Sequence, residues 1–108
     1  AHAGSLSALN KTRPCKKDGS CNVSDVDAAA RQVIATAGYA KYFIHGTGHG
    51  LGLDIHELPS IGPRSAIYDL RSNMVITIEP GIYLPGKFGY RHEDTILITK
   101  TGYNILTQ

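Results

Sequence analysis

Glycine occupies every second position from 46 to 52 in His45-Gly-Thr-Gly-His-Gly-Leu-Gly-Leu-Asp-Ile-His-Glu57. Glycine at that spacing weakens an isolated strand and suits a place where another backbone or a ligand comes very close. The same stretch holds His45, His49 and His56, three of the five histidines in the chain. It therefore demands a tightly packed neighbour and concentrates polar chemistry beside it. The 108 residues suit a single domain over 1–108, and 42% apolar with 19% charged residues is ordinary globular composition. Eleven basic against nine acidic residues, a net charge of +2, is too balanced for nucleic acid or an anionic membrane as main partner. No apolar run approaches the ~20 residues of a membrane span. Ala1 to Asn10 lacks a basic start followed by an apolar stretch, so no signal peptide and a cytoplasmic location are expected.

Around that centre the chain alternates little. Leu6 to Arg13 has helical character and stops at Pro14. Cys15 and Cys21 flank a polar turn; reduced surface thiols are favoured over a short-loop disulfide. Ser24 as N-cap, with Asp27 three residues on and Asp25 in the first turn, predicts a helix over 25–37. Val26, Ala30, Val33, Ile34 and Ala37 form its apolar face, and Gly38 is its left-handed stop. Tyr42-Phe43-Ile44 reads as a short strand, Pro59 to Ser65 as a loop. Strands are expected at 74–79, 82–84 and 90–99, with a hairpin into 103–106. One or two helices packed on an antiparallel sheet make the class α+β.

Two carboxylates interrupt apolar strands: Glu79 after Val75-Ile-Thr-Ile, and Glu93 within Arg91-His-Glu-Asp-Thr-Ile-Leu-Ile. Alternation puts Val75, Thr77 and Glu79 on one face, and Arg91, Glu93 and Thr95 on one face. A carboxylate on a buried strand is costly unless it is paired or binds metal. Arg91 is an available partner for Glu93, and a lone histidine is often a satisfied core residue. Alternatively the acids and a glycine-flanked histidine form an oxygen and nitrogen metal site of the kind suited to manganese, cobalt, iron or zinc. The glycines do not match the dinucleotide pattern, because Leu51 stands where the third glycine belongs, and there is no P-loop ending.

His45 to Glu57, Thr77-Ile-Glu-Pro-Gly-Ile-Tyr83 and Arg91-His-Glu-Asp-Thr95, in that order, resemble the signatures of pita-bread-fold metallopeptidases. The closest branch is the Xaa-Pro aminopeptidases and Xaa-Pro dipeptidases (prolidases), and the resemblance spans about Asn22 to Gln108. Methionine aminopeptidases share the Gly-His-Gly core but differ at His45 and in the Arg91-x-Glu-Asp form. The implied fold is the C-terminal half of a pita-bread catalytic domain.

The resemblance also implies roles. His49, Glu79 and Glu93 match metal ligands, with Glu93 bridging two divalent ions, manganese or cobalt foremost and zinc possible. Glu79 also handles the proton of the attacking water. His45 and His56 match histidines that contact substrate and steady the tetrahedral intermediate, and Arg91 matches a residue orienting the network. The implied reaction is hydrolysis of the bond preceding proline, and the implied substrate is a peptide with proline at its second position. Two aspartate ligands of the family lie before the helix, where this chain offers only Asp18. One ion or none, and little peptidase activity, is expected of this chain alone. Self-association or pairing with an N-terminal half is expected too, and a non-catalytic pita-bread-like binding fragment is the alternative function.

Overall fold

Asn22 accepts hydrogen bonds on its side-chain oxygen from the backbone N–H of Ser24 and of Asp25, at 2.9 and 3.2 Å. Asn22, not Ser24, is therefore the N-cap, and helix α1 runs Val23–Thr36 in the computed structural model, which describes residues 22–63 and 69–107. Ser24 is instead the second residue of the helix, with its hydroxyl bonded to the Asn22 side chain. Ala37 caps the far end and Gly38 follows at φ +91°, the left-handed stop expected. Val23, Val26, Ala30 and Ile34 are buried, but Val33 is only half-buried and Ala37 is exposed. Asp27 is buried as well; its place between Val23 and Ala30 on the inner face overrides a helix-dipole role. The expectations for Leu6–Arg13 and for Cys15–Cys21 lie outside the described residues.

Tyr42–Ile44 is not a strand. A single 3-10 turn, Ala40–Tyr42, leads into an irregular segment through Thr47. The glycine run then supplies β1 (Gly48–Gly50), and Glu57–Ile61 forms β2, where a loop was expected from Pro59. Pro59 is tolerated because β2 is an edge strand, and its missing N–H breaks no inner ladder. Then follow β3 (Val75–Ile78), β4 (Gly81–Leu84), β5 (Phe88–Arg91), β6 (Asp94–Ile98) and β7 (Tyr103–Ile105). The single long strand expected over 90–99 is two: His92 and Glu93 bend the chain out of one sheet into another, with the His92 N–H donating to the Pro80 carbonyl.

The main sheet is five-stranded and antiparallel in the order β2-β1-β3-β6-β7; β4 and β5 form a separate two-stranded hairpin. Ile76 pairs with Ile96, and Thr77 with Thr95. Alternation thus sends Ile76, Ile78, Ile96 and Ile98 into the core against Val23, Val26 and Ala30 of α1, and turns Thr77 and Thr95 to the opposite face. The α+β class and the half pita-bread architecture are borne out. So is the demand made by the glycines. A Cβ on Gly48 would overlap the Thr77 carbonyl, and one on Gly50 the Leu58 carbonyl, so β1 fits between β2 and β3 only without side chains there.

Candidate metal and active site

The face of the sheet away from α1 carries an open cleft of about 370 Å³, lined by His49, His56, Thr77, Glu79, Arg91 and Glu93 among others. Each element brings one contribution. β1 presents His49, whose backbone N–H donates to the Thr77 hydroxyl at 3.1 Å. Glu79 follows the last residue of β3, and its backbone N–H donates to the Thr47 carbonyl at 2.6 Å. The β5–β6 bend brings Arg91, Glu93 and Thr95 to the same cleft, so the expected face-sharing holds although the strand is broken.

His49 and Glu79 form the centre. The ring nitrogen Nδ1 of His49 lies 2.8 Å from the Gly50 carbonyl. A carbonyl only accepts, so Nδ1 carries the proton and Nε2 is left with its lone pair in the neutral ring. That Nε2 lies 3.2 Å from Oε2 of Glu79, both side chains being about one-sixth exposed at 17%. Two acceptors face each other at this distance only around a shared cation, either a proton or a metal ion. The backbone bond on the far ring nitrogen is the arrangement that orients metal-binding histidines. The His56 ring stands 4.3 Å, centroid to centroid, from the His49 ring.

Glu93 departs from the expectation of a carboxylate made costly by burial. Its side chain is 45% exposed and sits 3.9 Å from Nε of Arg91, itself 52% exposed. Among the described residues, no group of three or more His, Cys, Asp or Glu side chains is arranged to hold a metal ion. His49 and Glu79 converge; Glu93 shares their cleft but leans toward Arg91. The donor chemistry, one imidazole and two carboxylates, fits a hard or borderline divalent cation, while the described residues alone do not close around one.

His45 does not line this cleft. Its Nδ1 lies 2.6 Å from the Gly46 carbonyl and its Nε2 2.6 Å from the Tyr83 hydroxyl, so both nitrogens are engaged within the protein. Tyr83, to which the sequence reading gave no role, links this histidine to the cleft. A hydrogen bond with Tyr83, and after it the negative charges of Glu93 and Glu79, hold the Arg91 guanidinium above its ordinary pKa. In the β4–β5 ladder Arg91 pairs with Gly81, over which the Tyr83 hydroxyl lies.

Sequence reasoning also missed Asp27 and Arg31, although their i,i+4 spacing on α1 and the place of Asp27 on the apolar face were both legible. Arg31 grips both oxygens of the buried Asp27, from Nε at 2.9 Å and Nη2 at 3.1 Å. Asp27 Oδ1 also accepts from the Thr47 hydroxyl at 2.8 Å and from its N–H at 3.2 Å.

The comparisons with known proteins agree with this geometry. Residues 2–100 match the model of metallopeptidase family M24. The Xaa-Pro dipeptidase of Pyrococcus horikoshii is 48% identical over 106 residues, which is 95% of this chain and 29% of that protein. The solved prolidase from Pyrococcus furiosus superposes with a TM-score of 0.89 at 43% identity, covering 97% of this chain and 29% of that one. The Xaa-Pro dipeptidase from Bacillus anthracis gives 0.90 at 38% identity, over 99% of this chain and 28% of its own. The chain thus spans less than a third of the length of these relatives. With a family match across nearly its whole length and a cleft of the expected residues, the chain belongs to metallopeptidase family M24.

Proposed function

We propose that this chain is the ligand-bearing C-terminal part of a catalytic domain that hydrolyses the peptide bond preceding proline. The observation that carries the reading is the pair of acceptors, His49 Nε2 and Glu79 Oε2, facing each other across 3.2 Å beside Glu93 and His56. His49, Glu79 and Glu93 would hold divalent ions, manganese or cobalt before zinc, given two carboxylates for one imidazole. When bound, such ions supply Lewis acidity that polarises the scissile carbonyl and activates water.

The chain's own residues do the rest. Glu79 takes the proton of the attacking water on a carboxylate oxygen and passes it to the leaving nitrogen. His56 is exposed, and among the described residues its ring has no hydrogen-bond partner, so it is the histidine able to donate to the developing oxyanion. That duty was shared with His45 in the sequence reading; the two engaged nitrogens of His45 direct it instead to holding Tyr83. Arg91 keeps Glu93 and Tyr83 in place as a permanent cation. Because a bond to proline nitrogen has no N–H, recognition rests on ring shape and on these side chains.

The shortfall of clustered ligands favours weak binding of one ion, and little hydrolysis, by the chain alone. Ile55, which lines the cleft, and Leu53 and Leu58 close to it in sequence are exposed by 72%, 107% and 73%, which supports pairing with further polypeptide or self-association. The test is a segment exchange: this chain replaces the matching part of the Pyrococcus furiosus prolidase, and release of proline from an Xaa-Pro dipeptide is measured. Activity that depends on Glu79 and on added metal supports the reading. An exchanged enzyme that folds and binds metal but cleaves nothing would sink it.

A further inference from the structure

We propose that Asp27 and Arg31, on successive turns of α1, are positioning residues that fix the catalytic cleft from the opposite face of the sheet, by clamping the irregular segment from Phe43 to Thr47. The inference deepens the peptidase reading and rests on it for its catalytic meaning.

The segment has no secondary structure of its own, yet it carries His45 and leads into β1. Two side chains supply the order. Arg31 Nη1 donates to the Phe43 carbonyl at 3.1 Å, and Nη2 donates to the His45 carbonyl at 2.9 Å as well as to Asp27. The guanidinium carbon lies 4.2 Å from the centre of the Phe43 ring, and that ring meets His45 edge-on at 5.3 Å and 86°. Asp27, 1% exposed, accepts from the Thr47 hydroxyl at 2.8 Å and shares the Thr47 N–H, at 3.2 Å, with the Ile61 carbonyl at 2.7 Å. Phe43, His45 and Thr47 are therefore each gripped by one ion pair.

Two routes carry this order to the cleft. The Thr47 carbonyl accepts the Glu79 N–H, so the backbone that bears the proposed proton carrier is pinned to a residue that Asp27 holds. Along the second route, His45 is fixed by its carbonyl on Arg31 and by its Nδ1–H on Gly46, which aims Nε2 at the Tyr83 hydroxyl, and that hydroxyl lies over Gly81, the ladder partner of Arg91. A plain structural ion pair on a helix needs only two partners. This one spends every donor-bearing nitrogen of Arg31 on the ion pair and on two carbonyls of a segment that ends at the site.

Lysine in place of Arg31 keeps the charge opposite Asp27 but cannot reach two carbonyls and cover an aromatic face together. The test labels histidine with nitrogen-15 in the full chain and in Arg31→Lys and Asp27→Asn. In the parent, the two ring nitrogens of His45 should resonate far apart, as in one fixed tautomer. In Arg31→Lys they should move toward the average of two tautomers, while those of His92 stay put. In the exchanged enzyme, Arg31→Lys should lower kcat about tenfold or more with KM little changed, the scale of losing outer-sphere support. That loss should disappear when His45 is already replaced by Gln.

An unchanged His45 signature in folded Arg31→Lys would overturn the proposal. So would failure of Arg31→Lys to fold, since a variant that keeps the charge pair would then show the contact to be a requirement of the fold itself. Should Asp27→Asn unfold, the lysine variant decides alone. The imidazole readout needs neither substrate nor metal. A fixed His45 tautomer that is lost in Arg31→Lys, beside an exchanged enzyme that folds and binds metal but hydrolyses nothing, upholds the clamp and sinks the peptidase reading; an active exchanged enzyme indifferent to Arg31 does the reverse.

Discussion

Two polar clusters lie on opposite faces of the same sheet, and they are finished to different degrees. On the helix side, Asp27, Arg31 and Thr47 leave nothing wanting. The buried carboxylate accepts from Arg31 on both oxygens and from Thr47 twice. On the cleft side, His49 Nε2 and Glu79 Oε2 face each other across 3.2 Å, the His56 ring stands against that of His49, and Glu93 rests at 3.9 Å from Arg91. Burying a charge is tolerable only when its hydrogen bonds are complete. The first cluster obeys that rule and holds structure; the second stays partly open to solvent and keeps its lone pairs available. Incomplete satisfaction beside a cleft, more than burial itself, separates the acids with chemistry to do from the acid that builds the fold.

Breaking the open cluster should have the largest effect on function and little on folding. Glu79→Gln in the exchanged enzyme should lower hydrolysis of an Xaa-Pro dipeptide by about 10²–10⁴-fold, the range for losing a general acid–base group. Its thermal midpoint should barely move, because the side chain has no partner beyond His49 among those described. A large drop in the midpoint instead would place Glu79 with the structural cluster.

Breaking the closed cluster should do the opposite. Asp27→Ala removes the acceptor of Arg31 Nε and of the Thr47 hydroxyl, while the Thr47 N–H keeps the Ile61 carbonyl and Arg31 keeps those of Phe43 and His45; the loss of one partner from a buried pair costs about 3–5 kcal/mol. Denaturant unfolding checks it, and added manganese should not restore the loss. A variant that loses less than about 1 kcal/mol, the worth of an exposed pair, would show that Asp27 is not held as described.

The wall between the clusters offers a third test. Thr47 belongs to one and His49 to the other, with Gly48 between them. A Cβ there would overlap the Thr77 carbonyl, so Gly48→Ala must push β1 away from β3. Overpacking of this kind costs about 1–3 kcal/mol. Because the displaced strand carries His49, metal affinity by calorimetry should fall together with stability, whereas each of the two preceding variants should move chiefly one of them.

How much of this was legible beforehand follows from what each signal measures. Period-two alternation grouped Thr77 with Glu79, and Arg91 with Glu93 and Thr95, and all five line the cleft, because side-chain parity is a local property that survives even the bend at His92 and Glu93. The bend itself left no such mark: it arises from the change of sheet between β5 and β6, a tertiary choice. Pro59 argued for a loop because a proline cannot serve an inner strand, and only the sheet order shows β2 to be an edge. Asp25 and Asp27 look alike as acids in a first turn. What distinguishes them is Thr47, twenty residues on, which a reading of α1 alone does not bring into contact. His45 and His49 likewise share one motif, and only the third dimension shows one ring occupied by Tyr83 and the other facing Glu79.

The smallest expected effect sharpens the separation most cleanly. Asn22 caps α1 with its side-chain oxygen and touches neither cluster, yet α1 carries both Asp27 and Arg31. Asn22→Ala should cost ~1 kcal/mol, the usual worth of an N-cap. The loss falls on the first turn of the helix, and Asp27 lies just beyond it, so any weakening transmitted inward must pass through the ion pair before it reaches Thr47 and Glu79. If the closed cluster is as complete as its hydrogen bonds indicate, it absorbs that loss. The His45 imidazole signature and the metal affinity at His49 and Glu79 should then match the parent while the unfolding midpoint falls. A shift in either site readout from so remote a change would mean that the two faces of the sheet are softer, and more closely coupled, than their unequal completeness suggests.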